Sequence, residues 1–165
     1  MIKKASKGRE GSTHDKVYTP YEVARKIIYS FPIEQGQTVL EPCRGQGAFY
    51  NNFPAFCNKK WCEIDDGVDF FDFTEKVDWI ITNPPYSIFD EFAKHCFEVA
   101  DNVVFLAPAM KMTSSFSRLK MYSDFGCPKR ITFIGASKCG FPFGFPCAIV
   151  WWQKDYKGPT YFDMF

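Results

Sequence analysis

The sequence predicts an α/β fold with one open sheet of seven strands, mostly parallel, whose last strand is antiparallel. Short apolar runs rich in β-branched residues alternate with stretches in which apolar residues recur at helical spacing. Two further apolar runs, 131–134 and 148–152, follow each other with no helical stretch between them. The alternation predicts the parallel part of the sheet, and the last two runs predict its antiparallel end.

The length of 165 residues suits one domain, which we assign to residues 17–165. Residues 1–16 are polar, rich in lysine and without periodicity, and they predict a flexible basic tail. The sequence has no apolar run of about 18 residues and does not begin with the apolar segment of a signal peptide. We therefore expect a cytoplasmic protein that does not contact a membrane.

The sequence contains seven cysteines, an odd number, and none of them forms a Cys-x-x-Cys pair. The only histidines are His14 and His95. Because a zinc site needs closely spaced cysteine and histidine ligands, we expect no metal site. Reduced thiols in a protein core are the better interpretation.

Helices are predicted in three stretches by apolar spacing and start signals. The first begins at Thr19-Pro20, with proline at the first helical position, and ends before Pro32. The second follows Ser87, its expected N-cap, because apolar residues recur at helical spacing as far as residue 100. A third, short helix is expected within residues 109–128.

The stretch Asn83-Pro84-Pro85-Tyr86 follows a buried strand at residues 79–82. Neither proline can donate to a sheet ladder, and Asn83 is held extended because it precedes a proline. The Asn83 side chain and the Pro84 carbonyl are then two fixed acceptors at the carboxyl end of a strand, where open α/β sheets bind ligands. They suit the two hydrogens of a planar amine, on whose ring Tyr86 can stack. The alternative is a strand that merely ends in a Pro-Pro turn.

A glycine turn, which contains Glu41-Pro42, Gly45 and Gly47, follows the strand at residues 38–40. Glycines let a ligand approach the backbone closely, and we expect a helix to start just after the turn. The third glycine of the dinucleotide fingerprint is missing. Because the Glu41 carboxylate would repel a phosphate, we expect a cationic or zwitterionic group here.

Two acidic positions follow further strands. Glu63, next to Ile64, lies 18 residues after Gly45, close to the spacing at which nucleotide-binding α/β folds place a ribose-binding carboxylate. Asp69 and Phe70 lie in a short strand or turn, where an acid beside an aromatic ring suits an adenine base. Outward aspartates with core phenylalanines are an equally good interpretation.

The net charge is only +1, but it is unevenly distributed. Residues 1–16 carry five basic and two acidic side chains, and residues 108–130 carry five basic and one acidic. The second segment contains Lys111, Arg118 and Lys120, which we expect to contact the backbone of a nucleic acid. Solvated charge on a tail and a loop accounts for the pattern equally well.

The turn between the last two predicted strands contains Phe141, Phe143 and Phe145 among glycines and prolines. A segment so rich in glycine and proline is not expected in the core, so its rings should be exposed. A base-stacking surface would explain such rings.

Taken in order, these motifs resemble those of the S-adenosylmethionine-dependent DNA adenine-N6 methyltransferases, over residues 17–153. The match at Asn83-Pro84-Pro85-Tyr86 is unaltered and is the most specific. Segments that resemble the cofactor-binding motifs are Tyr18-Thr19-Pro20, Glu41-Pro42 with Gly45 and Gly47, Glu63-Ile64, Asp69-Phe70 and, at the catalytic motif itself, Asn83. The turn with Phe141 and Phe143 resembles the motif whose ring stacks on the target base.

The resemblance implies a Rossmann-like fold that binds S-adenosylmethionine and transfers its methyl group to the N6 amine of an adenine flipped out of duplex DNA. Members with this motif order usually carry a separate target-recognition domain after the catalytic one, and the sequence contains none. Target selection would then fall to residues 108–130, to the tail, to a second copy of the chain or a partner subunit, or to no dedicated element.

Two other functions are compatible with the same residues. The Asn-Pro-Pro-Tyr stretch can hold another planar amine, on an RNA base or on a protein glutamine. A catalytically silent, cofactor-binding subunit of a larger complex is the other alternative, and the intact Asn83 and Tyr86 argue against it.

Overall fold

The computed structural model describes residues 17–141 and 144–165, so the predicted tail and Phe143 lie outside the described residues. Seven strands of the described chain form a single sheet. They are β1 (Thr38–Glu41), β2 (Asn58–Trp61), β3 (Val77–Thr82), β4 (Ala100–Pro108), β5 (Pro128–Gly135), β6 (Pro146–Gln153) and β7 (Tyr161–Met164).

The strands lie in the order β2-β1-β3-β4-β6-β5-β7. The four strands from β2 to β4 are parallel, and β6 is antiparallel to both of its neighbours, β4 and β5. The predicted class, a mostly parallel α/β sheet of seven strands, is confirmed. The antiparallel strand is β6, the last of the predicted strands. The chain then adds β7, which is parallel to β5 and whose four residues are all exposed, so no buried face marked it in the sequence.

Four α-helices in the described chain accompany the sheet: α1 (Tyr21–Tyr29), α2 (Phe89–Val99), α3 (Ala109–Thr113) and α4 (Phe116–Phe125). Alternate residues of a strand face opposite sides, and β3 accordingly sends Trp79 and Ile81 into one apolar core and Ile80 into the other. The first core includes α1, and the second includes α2 and α4. No helix among the described residues has the length and apolar character needed to cross a membrane.

The helix expected after the glycine turn does not form. A single 3₁₀ turn, Tyr50–Asn52, takes its place. The rings on either side of it, Phe49 and Phe53, are both buried in the core, and Pro54 follows directly. The turn stops there because Phe53 precedes a proline and takes up extended backbone, which ends the helical conformation.

Two further boundaries differ from those predicted. Helix α2 begins at Phe89 rather than next to Ser87, because the residues after the two prolines first form a 3₁₀ turn, Tyr86–Ile88. The stretch predicted as strand or turn around Asp69 is a turn: Val68 makes an isolated bridge, and the next residues form a 3₁₀ turn.

Arg118 anchors α3 and α4 to the start of α2. Its side chain is only 7% exposed, and its Nε donates to Asp90 Oδ1 at 2.5 Å. The same guanidinium donates to the Lys111 carbonyl and to Ser114 Oγ, and it lies 4.9 Å from the centre of the Phe89 ring. The prediction that Arg118 contacts a nucleic-acid backbone does not fit this placement, because its donors are directed into the protein.

Replacing Arg118 by Met should therefore destabilise the fold. The change leaves the Asp90 carboxylate, the Lys111 carbonyl and the Ser114 hydroxyl without their donor. We expect a loss of about 1–3 kcal/mol in the free energy of unfolding, measured with urea. The matched control is Lys120→Met, which removes an exposed ion pair with Asp124 and should change stability by less than about 0.5 kcal/mol. Equal effects of the two changes would contradict the anchoring role.

Candidate active site

The predicted site residues meet at one edge of the sheet, because the carboxyl ends of β1, β2 and β3 point the same way. Glu41 is the last residue of β1, Glu63 comes shortly after β2, and Asn83 directly follows β3. In open α/β sheets this edge is where ligands bind. The structure thus places side chains together that lie up to 42 residues apart in the sequence.

Asn83 is hydrogen-bonded through both ends of its side-chain amide. Its Nδ2 donates to the Val17 carbonyl at 3.1 Å and to Thr19 Oγ1 at 3.4 Å. Its Oδ1 accepts a hydrogen bond of 2.5 Å from the hydroxyl of Tyr86. The amide oxygen is therefore directed away from the segment at residues 17–19 and toward the side where Tyr86 lies.

Tyr86 and Phe141 form a pair of rings beside this oxygen. Their ring centres are 6.1 Å apart and their planes are inclined by 29°. The expectation that the Phe141 ring is exposed is wrong, since Phe141 is 5% exposed and belongs to the core that contains α1. Glycine and proline in the turn shape the backbone but do not keep this ring in solvent, because the ring packs against Tyr86 and Phe145.

Glu41 is a buried acid, only 2% exposed, at the end of β1. Its Oε2 accepts a hydrogen bond of 2.6 Å from the backbone amide of Tyr50. Burial raises the pKa of Glu41 to about 8, and the Tyr50 amide and the charge of Arg44 oppose this only in part. The side chain is therefore mostly protonated at neutral pH, and a cationic group arriving nearby would favour its ionised form.

The glycine turn after Glu41 has left-handed backbone at two positions, Gly45 (φ +52°) and Gly47 (φ +80°). A Cβ atom at Gly45 would lie 3.3 Å from the Tyr18 ring, and one at Gly47 would lie 2.9 Å from the Asn51 side chain. Both glycines are favoured by the left-handed backbone, and the space beside each is tight. The buried Pro42 leads into the turn.

Glu63 joins the glycine turn to the end of β2. Its Oε2 accepts a hydrogen bond of 2.5 Å from the Gly45 amide, and its Oε1 accepts one of 3.2 Å from the Asp65 amide. Each carboxylate oxygen can accept a further hydrogen bond. The neighbouring Ile64 is about half exposed, which leaves an apolar surface next to the carboxylate.

Asp69 and Phe70 take different positions. Asp69 is half-buried, accepts a 2.9 Å hydrogen bond from the Phe71 amide, and lines a cavity of about 280 Å³ together with Cys62 and Val68. Phe70 is buried against the rings of Phe92 and His95. The cavity therefore carries the predicted acid, while the predicted ring packs in the core behind it.

Sequence reasoning missed two contacts at this edge. Arg44, in the glycine turn, pairs with Asp66 at 2.5 Å and lies 3.8 Å from the centre of the Trp61 ring, which fastens the turn to β2. Cys43 Sγ lies 3.0 Å from Thr82 Oγ1 and donates to the Asn83 carbonyl at 3.3 Å. The cysteine could not be singled out beforehand, because its neighbours are 39 and 40 residues away in the sequence.

The basic segment at residues 108–130 does not form one surface. Lys111 lines a cavity that Tyr86 also lines, and Lys120 is exposed and paired with Asp124. Lys129 and Arg130 lie at the opposite, amino end of β5, where they bond to Gln153 and to Ser30. Of the predicted nucleic-acid contacts, Lys111 and Arg118 line this cavity beside the candidate site, and the donors of Arg118 are bonded within the protein. Among the described residues, no cluster of histidine, cysteine and acidic side chains is arranged to hold a metal ion.

The raised pKa of Glu41 predicts a pH dependence of stability. The unfolded chain ionises Glu41 near its ordinary value of 4.5, whereas the folded chain keeps the proton up to about pH 8. Stability from this group is complete below about pH 4.5 and is lost as the pH rises through 8, by an amount on the order of 2–4 kcal/mol.

Urea unfolding of the wild type and of Glu41→Gln, compared from about pH 5 to pH 9, measures this effect. Glutamine keeps the shape and the acceptor for the Tyr50 amide but cannot ionise, so the variant should gain stability relative to the wild type as the pH rises. Parallel pH profiles for the two proteins would disprove the assignment.

No family model and no curated protein matches the sequence. Solved structures do match the fold. A Listeria monocytogenes protein assigned to the class I S-adenosylmethionine-dependent methyltransferases has a TM-score of 0.67 and 13% identity, and the match covers 89% of this chain and 65% of that one. A Pyrococcus horikoshii protein assigned as an RNA methyltransferase has a TM-score of 0.64 and 16% identity, over 92% of this chain and 94% of that one.

A third match is the methyltransferase subunit of a type I restriction-modification system from Streptococcus thermophilus, with a TM-score of 0.65 and 14% identity. It covers 90% of this chain, which in turn spans only 47% of that subunit. At these identities the likeness concerns the fold. The chain therefore shares the Rossmann-like α/β fold of these methyltransferase structures.

Proposed function

We propose that this protein transfers the methyl group of S-adenosylmethionine to the N6 amine of adenine in DNA. The observation that carries the proposal is the geometry of Asn83. Its side-chain oxygen is held toward the Tyr86 hydroxyl at 2.5 Å, at the carboxyl end of the central strand β3. An acceptor fixed at this place, with the Pro84 carbonyl next along the chain, suits an amine that has two hydrogens to donate.

The Tyr86 hydroxyl marks the position of the substrate amine. In the free protein it donates to the same oxygen that the amine would use. An arriving amine exchanges one donor for another, so the acceptor is satisfied before and after binding. This exchange favours a substrate that brings a hydrogen-bond donor over one that brings only an apolar ring.

The ring pair of Tyr86 and Phe141 suits a planar base. A base stacked on both faces needs two contacts of about 3.5 Å, so the rings would have to be about 7 Å apart. Their ring centres are 6.1 Å apart and their planes are inclined by 29°, so the two rings now pack on each other and would have to separate to admit a base. The base must first leave the stack of a duplex.

The residues at the neighbouring strand ends fit the cofactor. Glu63 retains acceptor capacity for the two ribose hydroxyls, and Ile64 offers an apolar surface beside them. The cavity that Asp69 lines has the size of a nucleobase site and an acceptor for the adenine amine. Glu41 and the glycine turn suit the zwitterionic methionine part, and the segment Tyr18-Thr19-Pro20 contacts the same turn.

The chemistry then depends on positioning. Bound S-adenosylmethionine supplies a methyl group activated by a sulfonium centre, so a strong base is not needed. The lone pair of adenine N6 is delocalised into the ring and is a poor nucleophile. Hydrogen bonds to Asn83 Oδ1 and to the Pro84 carbonyl draw the amine toward tetrahedral geometry and localise that lone pair, and they stabilise the charge that develops on nitrogen. The excess proton passes to solvent.

An amine on an RNA base is the second candidate. The assigned RNA methyltransferase of P. horikoshii is matched over nearly its whole length, unlike the type I subunit. The positions at Asn83 and Tyr86 do not distinguish the two nucleic acids, because both present a base with an exocyclic amine.

Incubation with radiolabelled S-adenosylmethionine and separate DNA, RNA and protein substrates tests the proposal. We expect label in duplex DNA, recovered as N6-methyladenine after hydrolysis to nucleosides. Label in RNA alone would select the second candidate. Label in protein, or in no substrate although cofactor binds, would refute nucleic-acid methylation.

Asn83 and Tyr86 should differ in single-turnover methyl transfer. Asn83→Ala removes one acceptor and should lower the rate by about 10²–10³-fold or more, with nearly unchanged cofactor affinity. Tyr86→Phe keeps the stacking face and should retain substantial activity, whereas Tyr86→Ala should lose about 1–3 kcal/mol in base binding. Asn58→Ala, at the amino end of β2, is the control and should be active. A folded Asn83→Ala protein with a near-normal rate would falsify the mechanism.

Glu63 should contribute to cofactor binding. Glu63→Ala removes a charged acceptor from the ribose hydroxyls, and calorimetry should show a loss of about 1.5–3 kcal/mol in S-adenosylmethionine binding. Glu63→Gln retains an acceptor for the Gly45 amide and separates the loss of charge from a loosened turn. The control Asp101→Ala changes an exposed acid at the amino end of β4. If both Glu63 variants bind S-adenosylmethionine with the same affinity as the wild type and the Asp101→Ala control, Glu63 does not hold the cofactor.

A further inference from the structure

We propose that Thr19 is a positioning residue that, together with the Val17 carbonyl, holds the Asn83 amide in place before substrate arrives. This inference rests on the proposed function of Asn83. The two hydrogens of Asn83 Nδ2 have two separate acceptors, the Val17 carbonyl at 3.1 Å and Thr19 Oγ1 at 3.4 Å. Both acceptors belong to a segment 64–66 residues earlier in the chain.

Of these two acceptors, the Val17 carbonyl determines which end of the amide faces the substrate, because the Thr19 hydroxyl can either accept or donate. If the amide were rotated by half a turn, its oxygen would face the Val17 carbonyl oxygen. A carbonyl oxygen cannot donate, so the rotated state would place two acceptors against each other. The observed orientation is therefore strongly preferred, and Oδ1 stays available for an amine.

The segment that carries these acceptors is itself held in place. Thr19 is only 8% exposed. The Tyr18 ring lies against Gly45, and the Tyr18 carbonyl and Pro20 lie against Gly140, where a Cβ atom would meet the carbonyl oxygen at 2.9 Å. Two parts of the candidate site, the glycine turn and the turn before Phe141, thus clamp the segment over Asn83.

This arrangement preorganises the Asn83 side chain for the substrate amine. An acceptor already aimed at the amine costs no reorganisation in the transition state. Without the Thr19 hydroxyl, one N–H of Asn83 is left unpaired in a half-buried site, and the amide is held by the Val17 carbonyl alone and can tilt. The consequence is a slower methyl-transfer step, because Asn83 still binds the amine but holds it less often in the reactive geometry.

The test compares Thr19→Val and Thr19→Ser in single-turnover methyl transfer. Valine keeps the shape and removes the hydroxyl, and we expect a rate about five- to tenfold lower, the effect of losing one neutral hydrogen bond. Serine restores the hydroxyl and should restore the rate. The half-saturating DNA concentration should change by less than about twofold. The matched control is Thr132→Val, an equally buried threonine in β5, which β4 and β6 separate from β3.

A second measurement covers the case in which Thr19→Val alters the fold or cofactor binding. The side-chain amide resonances of Asn83 are assigned by their loss in Asn83→Ala. In the wild type and in Thr19→Ser these hydrogens should exchange slowly with solvent, and in Thr19→Val one of them should exchange faster.

The outcomes separate the two proposals. Equal rates and equal exchange in the wild type and Thr19→Val overturn the positioning role and leave the proposed function intact. A rate defect that Thr19→Ser fails to restore also overturns it. A wild type that methylates no nucleic acid overturns the proposed function, and unaltered Asn83 exchange in Thr19→Val would then still refute the contact on its own.

Discussion

Two consecutive prolines stop the central strand, and the geometry of the candidate site depends on this stop. Neither proline can extend the ladder of β3, and the residue before them is restricted to extended backbone. Asn83 therefore has a fixed position at the carboxyl end of β3, directly after the buried Thr82. The 3₁₀ turn that follows brings Tyr86 back over Asn83, three residues along the chain, so that the hydroxyl reaches the amide oxygen.

The same side chain ties together parts of the molecule that are distant in sequence. Asn83 is bound by the segment at residues 17–19, and that segment lies against Gly45 on one side and Gly140 on the other. Gly140 has φ +83°, and a side chain there would collide with the Tyr18 carbonyl. The two glycines let three loops approach closely enough for one amide to be held by hydrogen bonds at both ends.

Two ionisable side chains of this protein, Glu41 and Arg118, are buried and make their contacts inside the molecule. Glu41 is buried and keeps its proton at neutral pH, which avoids an uncompensated charge at the end of β1 until a cation is present. Arg118 remains charged and is paired with Asp90, and it fixes α3 and α4 beside the cavity that Tyr86 and Lys111 line. The number of basic residues in the sequence therefore overestimates the positive charge that is exposed to a nucleic acid.

The sequence by itself determined the α/β class, the positions of strands β1, β3, β5 and β6 and the edge of the sheet at which Asn83, Glu41 and Glu63 gather. These features follow from local patterns, namely buried runs, helical spacing and residues that interrupt strands. The exposed strand β7 lay outside such patterns, because its pairing with β5 is made by the backbone and buries none of its side chains.

Only the tertiary structure decided which contacts the individual side chains make. It buried Phe141 against Tyr86, directed Arg118 inward, and separated Lys129 and Arg130 from Lys111 by the length of the sheet. It also brought Val17 and Thr19 to the amide of Asn83. No local pattern encodes these contacts, because each joins residues from different segments, and their distances are set by how the loops pack at the carboxyl ends of the strands.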